Sequence, residues 1–296
     1  MAIRFILLLS FFTVLACRST SPVQVPEHFD WQGHRGCRGL MPENTIPAFL
    51  KALEFPALRT LELDLAVSKD GQLVLSHEPW FYAAITTLPG GDTLRPADEP
   101  QHLLYYLNVG QIQQYDVGLR AHPRFSEQRK LPAFKPTLKQ VIDTVRAANP
   151  ARAAGIQWNM EIKSKPEWDG IRTPPVDSFA HMVVRFLQQN QLVEQTTVQS
   201  FDVRALQAVH RLDPSIRLVL LVENIKSVDD NLATLGFVPA VYSPSHVLVV
   251  AELVRRCHQH GMQVIPWTVN ETDAMRRLIR VGVDGIITDY PNRIPN

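Results

Sequence analysis

The stretch TVQSFDVRALQAVHRLDPSIRLVLLV, residues 197–222, reads as a strand, an amphipathic helix and a second strand. Thr197 to Ser200 is a short strand-like run, Val203 to Leu212 has helical patterning, and Arg217 to Val222 is almost continuously apolar. Two strands joined through a helix imply parallel pairing with a crossover. The same alternation extends in both directions. Further strands are expected at Trp31 to His34, Thr60 to Leu65, Leu73 to Ser76, Ile156 to Ile162, Ala240 to Tyr242, Gln263 to Trp267 and Gly285 to Thr288. Helices are expected at Ile46 to Phe55, Leu138 to Ala148, Asp177 to Asn190, Val247 to His260 and Thr272 to Val281. In the last, Ala274, Met275, Leu278 and Ile279 share one face by their spacing. Repeated this often, the pattern predicts an α/β fold of the TIM (β/α)8 barrel type rather than an open doubly wound sheet.

Two irregularities interrupt the rhythm. Nine strands are candidates for eight places, and only Ala66 to Gln72 separates Leu65 from Leu73, too short for a crossover helix. Ser68-Lys69-Asp70-Gly71 reads as a tight turn there. After the third strand, residues about 79–135 lack a clear βα alternation and form a small insertion, with a helix expected around Gln101 to Gln114.

Composition narrows the class. The chain has 296 residues, 45% hydrophobic and 20% charged, with 30 Lys+Arg against 29 Asp+Glu and a net charge of +1. It can therefore bury a large core, and with no basic excess or stripe a nucleic-acid partner is not expected. Arg4, the apolar run Phe5 to Ala16 and the small residue before Cys17 read as an export signal over residues 1–17. That run is about 12 residues, short of the roughly 20 that span a bilayer. Val14-Leu15-Ala16-Cys17 resembles a bacterial lipobox, so attachment through lipidated Cys17 is expected, with residues 18–30 as a tether and 31–296 as the catalytic barrel. An ordinary cleaved signal peptide or an uncleaved anchor are the other readings. The expected location is periplasmic or membrane-anchored, as an exported bacterial lipoprotein. Cys37 and Cys257 are expected as two unpaired thiols, and nothing in the sequence speaks to oligomeric state.

Glu62 and Asp64, two apart on one strand, share a face, and Glu161 ends another strand. Three carboxylates converging without Cys at a barrel mouth suit a hard divalent cation, Ca²⁺ or Mg²⁺. His34 and His77 also close strands, where one imidazole on each side of a substrate could take and give a proton in turn. Arg35 and Lys163 are the cations best placed for an anion. With three acids, one divalent ion and these two bases, a site at +1 would be neutralised by a phosphodiester. His102, His122, His181, His210, His246, His258 and His260 read as surface or core.

At these residues the chain resembles the glycerophosphodiester phosphodiesterase family. His34-Arg35-Gly36 with Pro42-Glu43-Asn44-Thr45, Glu62-Leu63-Asp64, Lys69-Asp70-Gly71, His77, Glu161-Ile162-Lys163, Gln199-Ser200-Phe201, Trp267-Thr268-Val269-Asn270 and Asp284 to Asp289 follow its motifs in order, from about Gly33 to Pro291. The resemblance implies a TIM barrel, metal-dependent hydrolysis of small-molecule glycerophosphodiesters to glycerol 3-phosphate and an alcohol, and a place in lipid and glycerol metabolism. It implies His34 and His77 as the acid/base pair and Glu62, Asp64 and Glu161 as metal ligands. Arg35 and Lys163 would be phosphate contacts, Trp267 a pocket aromatic, and Glu43 and Asn44 residues lining the site. Asn44 or Thr45 could instead cap the helix that follows, and Gly36 and Gly39 either admit a phosphate close to the backbone or simply turn the chain. Where the family commonly has Asp after the second histidine, this chain has Glu78. The alternatives are a phospholipase D-like enzyme acting on lysophospholipid or sphingolipid, and a non-catalytic glycerophosphodiester-binding lipoprotein.

Overall fold

A computed structural model describes residues 24–295. The export and lipidation reading of residues 1–17 and the start of the tether lie outside the described residues. Within them the strands are β1 (Asp30–Gly33), β2 (Leu58–Val67), β3 (Leu73–Leu75), β4 (Gln157–Ile162), β5 (Thr196–Ser200), β6 (Arg217–Val222), β7 (Val241–Pro244), β8 (Gln263–Val264) and β9 (Gly285–Thr288). Eight pair in parallel in the order β8-β7-β6-β5-β4-β2-β1-β9. Backbone bonds from Asp284 N to Val264 O (2.9 Å) and from Ile287 N to Pro266 O (3.0 Å) bring the two ends of that order together, giving a nearly closed (β/α)8 barrel.

The ninth strand is β3. It pairs antiparallel with β2, Leu65 against Leu75, so the short link from Val67 to Leu73 is a hairpin turn and needs no crossover. Gly71 takes φ +71 in that turn. The outward residues Leu61, Leu63 and Leu65 are fully buried in the layer shared with the helices. Leu138–Ala148 shows how such a helix is specified: Leu138, Val141, Ile142 and Val145 form its buried stripe, and Thr137 and Gln140 cap it reciprocally.

The helix expected around Gln101 to Gln114 does not form. Pro96–Gln101 and Leu104–Tyr106 are 3₁₀ turns, and only Val109–Ile112 is α-helical. Pro100 removes a backbone donor, while Leu104 and Ile112 turn into a small core with Phe81 and Tyr115, whose rings stack at 3.9 Å. The expected helix Val247 to His260 is likewise split, into a 3₁₀ turn at His246–Leu248 and a helix at Ala251–Gln259. A helix at Val228–Leu235 was not anticipated; Ser227 caps its start and Gly236, at φ +87, ends it.

The barrel interior is divided. On β6 to β9 it holds an apolar cluster of Val219, Val241, Ile265 and Ile287, with Arg217, Ser243 and Gln263 as polar exceptions. On β1, β2, β4 and β5 the inward positions are Asp30, Gln32, Thr60, Asn159, Thr197 and Gln199, joined by hydrogen bonds. The acidic residues of the mouth stand on this polar half.

Candidate active site

β2 and β4 pair in register, Glu62 beside Asn159 and Asp64 beside Glu161, so alternation aims three carboxyls at the C-terminal mouth. One oxygen from each of Glu62, Asp64 and Glu161 lies within 4.8 Å of the others, and all three residues are buried. Burial, with repulsion from Asp64, drives the Glu62 carboxyl well above its usual range. Burial raises Glu161 to about 7 against the pull of Lys163. Asp64 would also be raised by burial, yet Arg35, His77 and Lys163 hold it below the usual range. Asp64 Oδ1 has no hydrogen-bond partner. A buried all-oxygen cluster short of positive charge, with one oxygen unpaired, fits a divalent cation of the Ca²⁺ or Mg²⁺ kind.

His34 and His77 line one cavity together with Glu62 and Glu161, each with a carboxylate at its back. His34 Nδ1 is 2.6 Å from Asp289 Oδ1, and its Nε2 is 4.0 Å from Glu62. Burial and then Arg38 lower its pKa to about 4, despite Asp289. A neutral ring that donates Nδ1–H to Asp289 keeps an Nε2 lone pair directed at the site. His77 Nδ1 is 2.8 Å from Glu78 Oε1, and burial and Arg35 lower its pKa too. The Glu found in place of Asp after His77 thus still backs the imidazole with a carboxylate.

Lys163 Nζ bonds Glu161 at 2.8 Å. Arg35 is more committed than expected of a phosphate contact: Nη1 donates to Glu43 (2.7 Å), Nε lies 3.0 Å from Asp64, and the backbone N donates to Glu62 (2.7 Å). Glu43 is held well below its usual range: burial would raise it, but Arg35, His122 and Arg38 outweigh that. The charge count from sequence therefore needs correction, because Glu43 and Asp289 add two negative charges and Arg38 one positive. Asn44 donates to Asp64 Oδ2 at 2.8 Å. Neither Asn44 nor Thr45 caps by its side chain: Thr45 holds the N-cap position, but its hydroxyl donates to Pro42 O. Gly36 turns the chain at φ +85 and a Cβ there would stand 2.8 Å from Ala48, while at Gly39 a Cβ would stand 2.5 Å from the Tyr290 ring.

Two cavities meet at Glu161. One of about 220 Å³ is lined by His34, Arg35, Arg38, Arg124 and Gln199. The other, of about 500 Å³, is lined by Glu78, Lys163, Lys165, Trp168 and Asp202. His77, Glu161, Phe201 and Trp267 border both. Trp267 is fixed by its Nε1 bond to Ser243 O (2.9 Å) and meets Phe201 edge to face at 5.4 Å.

Sequence reasoning assigned no role to several residues found here. Asp289 receives Arg38 through Nε (2.9 Å) and Nη2 (3.2 Å) as well as His34. It follows the last strand and points inward as Glu62 and Asp64 do, so the strand-end rule that found those acids also reaches Asp289. His122, read as surface or core, lies 3.7 Å from Glu43, and Phe125 stacks on the Arg38 guanidinium at 4.6 Å. Both come from the irregular segment, whose path no periodicity traces.

The sequence and the fold are similar to those of known proteins. The model of the glycerophosphoryl diester phosphodiesterase family matches residues 34–293. A glycerophosphodiester phosphodiesterase of Caldanaerobacter subterraneus is 28% identical over 263 residues, covering 89% of this chain and 95% of its own. One of Bacillus subtilis is 27% identical over 293 residues, covering 96% and 92%. A crystal structure from Silicibacter pomeroyi matches with a TM-score of 0.79 and 28% identity, over 92% of this chain and 93% of that one. An Oleispira antarctica phosphodiesterase in complex with the product sn-glycerol-3-phosphate shares the fold, with a TM-score of 0.70 and 23% identity over 91% and 95% of the two chains.

Proposed function

The chain belongs to the glycerophosphoryl diester phosphodiesterase family, and from that premise we propose that it hydrolyses glycerophosphodiesters to glycerol 3-phosphate and a free alcohol. The observation that carries the reading is the pair His34 and His77 lining one cavity together with Glu62 and Glu161, each imidazole backed by its own carboxylate. Glu62, Asp64 and Glu161 would hold a divalent cation, which supplies Lewis-acid stabilisation of the phosphoryl oxygens when bound.

The glycerol phosphate belongs in the smaller cavity and the alcohol in the larger. His34, neutral and lining the smaller cavity, takes the proton of the attacking oxygen at Nε2. His77, bordering the larger cavity, delivers a proton to the departing alcohol oxygen as the phosphorus–oxygen bond breaks. Asp289 stabilises the imidazolium that forms on His34, and Glu78 keeps the His77 ring oriented. Lys163 and Arg35 offset the charge on the non-bridging oxygens, and the Trp267 and Phe201 rings exclude water from between the cavities.

The test is choline release from glycerophosphocholine by the purified protein with Ca²⁺, Mg²⁺ or EDTA. Release should require a divalent ion and be lost in Glu62→Ala/Asp64→Ala. Turnover that persists in EDTA would sink the metal assignment. A phospholipase D-like activity on lysophospholipid or sphingolipid draws support from the exposed Tyr82, Tyr106, Leu119 and Phe134; it would appear as preferred cleavage of acylated over deacylated substrate. The Val14 to Cys17 lipobox supports an exported, membrane-anchored protein as part of the same proposal.

A further inference from the structure

The interiors of barrels of this type are usually filled by bulky branched apolar side chains. Half of this one is instead polar, and its side chains form a continuous chain of hydrogen bonds. Asp30, at the bottom of β1, accepts from Gln32 Nε2 (2.7 Å) and Thr60 Oγ1 (2.7 Å). Gln32 Oε1 accepts from Asn159 Nδ2 (2.9 Å), and the same nitrogen donates to Gln199 Oε1 (2.9 Å). Gln199 Nε2 then donates to Glu62 Oε1 (2.8 Å). Asn159 Oδ1 is taken by the Thr197 hydroxyl (3.0 Å). Asp30 lies four residues before His34, about 13 Å along an extended strand. The chain therefore runs from the floor of the barrel to one of the three clustered acids.

With both end groups ionised, as a cation on Glu62 requires, the polarity of this chain is determined. A carboxylate stands at each end, and a carboxylate only accepts. Each amide in between must turn its nitrogen toward the nearer acid, so one group in the middle must donate in both directions. An –NH₂ group can do so, and Asn159 supplies it. If Asp30 lost its acceptor-only character, Gln32 and Asn159 could reverse, and Gln199 would present its oxygen to Glu62 in place of its nitrogen. The other Glu62 oxygen is held by the backbone N of Arg35 at 2.7 Å, so the carboxylate orientation is set by these two donors.

We propose that Asp30, Gln32 and Asn159 are positioning residues that act through Gln199 to orient Glu62 as a cation ligand. This rests on the reading of Glu62, Asp64 and Glu161 as the cation site. Residues beyond the first ligand layer commonly alter metal affinity by 10-fold to 100-fold, and a relay makes their effects non-additive.

The test is calorimetric titration of Ca²⁺ and Mg²⁺ into the parent protein, Asp30→Asn, Gln199→Met and the double variant, with metal-free melting temperatures measured alongside. Asp30→Asn should weaken cation binding about 10-fold, Gln199→Met at least as much, and the double variant no more than Gln199→Met alone. Unchanged affinity in Asp30→Asn, even with a lowered melting temperature, overturns the relay; so do effects that multiply in the double variant. Should Asp30→Asn fail to fold, Gln32→Met cuts the same link and is judged by the same criteria. A parent protein that binds neither ion refutes the metal reading itself. The relay is then judged by the same cycle on kcat/KM for glycerophosphocholine, where additive losses overturn it.

Discussion

Asp289 serves three side chains at once: His34 Nδ1, the Arg38 guanidinium and Asn270 Nδ2, the last at 2.8 Å. Although burial alone would raise its pKa, His34 and Arg38 hold it below the usual carboxylate range, so it stays ionised wherever His34 can act as a base. Replacing it with Asn keeps the shape but can offer Nδ2–H to the imidazole, which favours the wrong tautomer. Asp289→Asn should lower kcat by about 10² to 10⁴ with KM little changed. A loss of less than threefold in steady-state assays would remove Asp289 from the proton path. At this scale part of the site was legible beforehand: His34, His77 and Glu161 close strands and alternation puts Glu62 with Asp64 on one face, whereas the register of β3 on β2, Leu75 against Leu65, means that alternation alone does not bring His77 to that face. What could not be read was pairing between distant segments. Arg35 has the charge expected of a phosphate contact, but its ion pair with Glu43 depends on how the loop after β1 folds back.

At the scale of elements, the segment between β3 and the helix Leu138–Ala148 is the least regular part of the chain and the one most involved with the site. Its last residues include Lys135, buried, with Nζ donating to Ser76 Oγ (2.7 Å) beside His77. Burial lowers this ammonium from 10.5 to about 8. The charged form is thus penalised in the folded state at any pH below 8. The penalty fades between pH 8 and 10.5, because there the folded protein has released the proton while the unfolded chain still holds it. Native stability should therefore carry a rising contribution across that window. Lys135→Met should abolish the rise and exceed the parent at pH 7 by about 2 kcal/mol, roughly 3 from the removed penalty less about 1 for the lost hydrogen bond. Urea unfolding of both proteins at pH 7 and 10 measures this, and a gap that does not narrow at pH 10 would count against it. The helices of the regular part were legible from periodicity. Val228–Leu235 escaped because it is short and begins Val-Asp-Asp-Asn, poor helix formers whose cap Ser227 and stop Gly236 were the remaining signals. The region 101–114 misled for the opposite reason: its apolar residues face a local core instead of forming one helical stripe.

At the scale of the whole molecule, the divided interior bears on how a near-neutral chain would host the proposed anion site. Its polar half supports the acids, while the other half, on β6 to β9, holds the apolar cluster against which Trp267 packs. Alternation predicted the barrel because each strand follows the period-2 rule separately. The division into halves was not visible, since it is a property of eight strands taken together and their order around the barrel.

On the proposed placement of the two products, the cavities meeting at one wall also impose an order of departure. The alcohol, once cleaved, lies in the larger chamber and can leave while glycerol phosphate is still in contact with the charged lining of the smaller one. A product that leaves last rebinds the same enzyme form as the substrate, whereas one that leaves first does not. Glycerol 3-phosphate should therefore inhibit competitively against glycerophosphocholine, and choline should inhibit noncompetitively and weakly. Initial-rate measurements with each product added would reveal the reverse pattern if the chambers were used the other way round. The rate would then follow local removal of the phosphorylated product more closely than the supply of substrate.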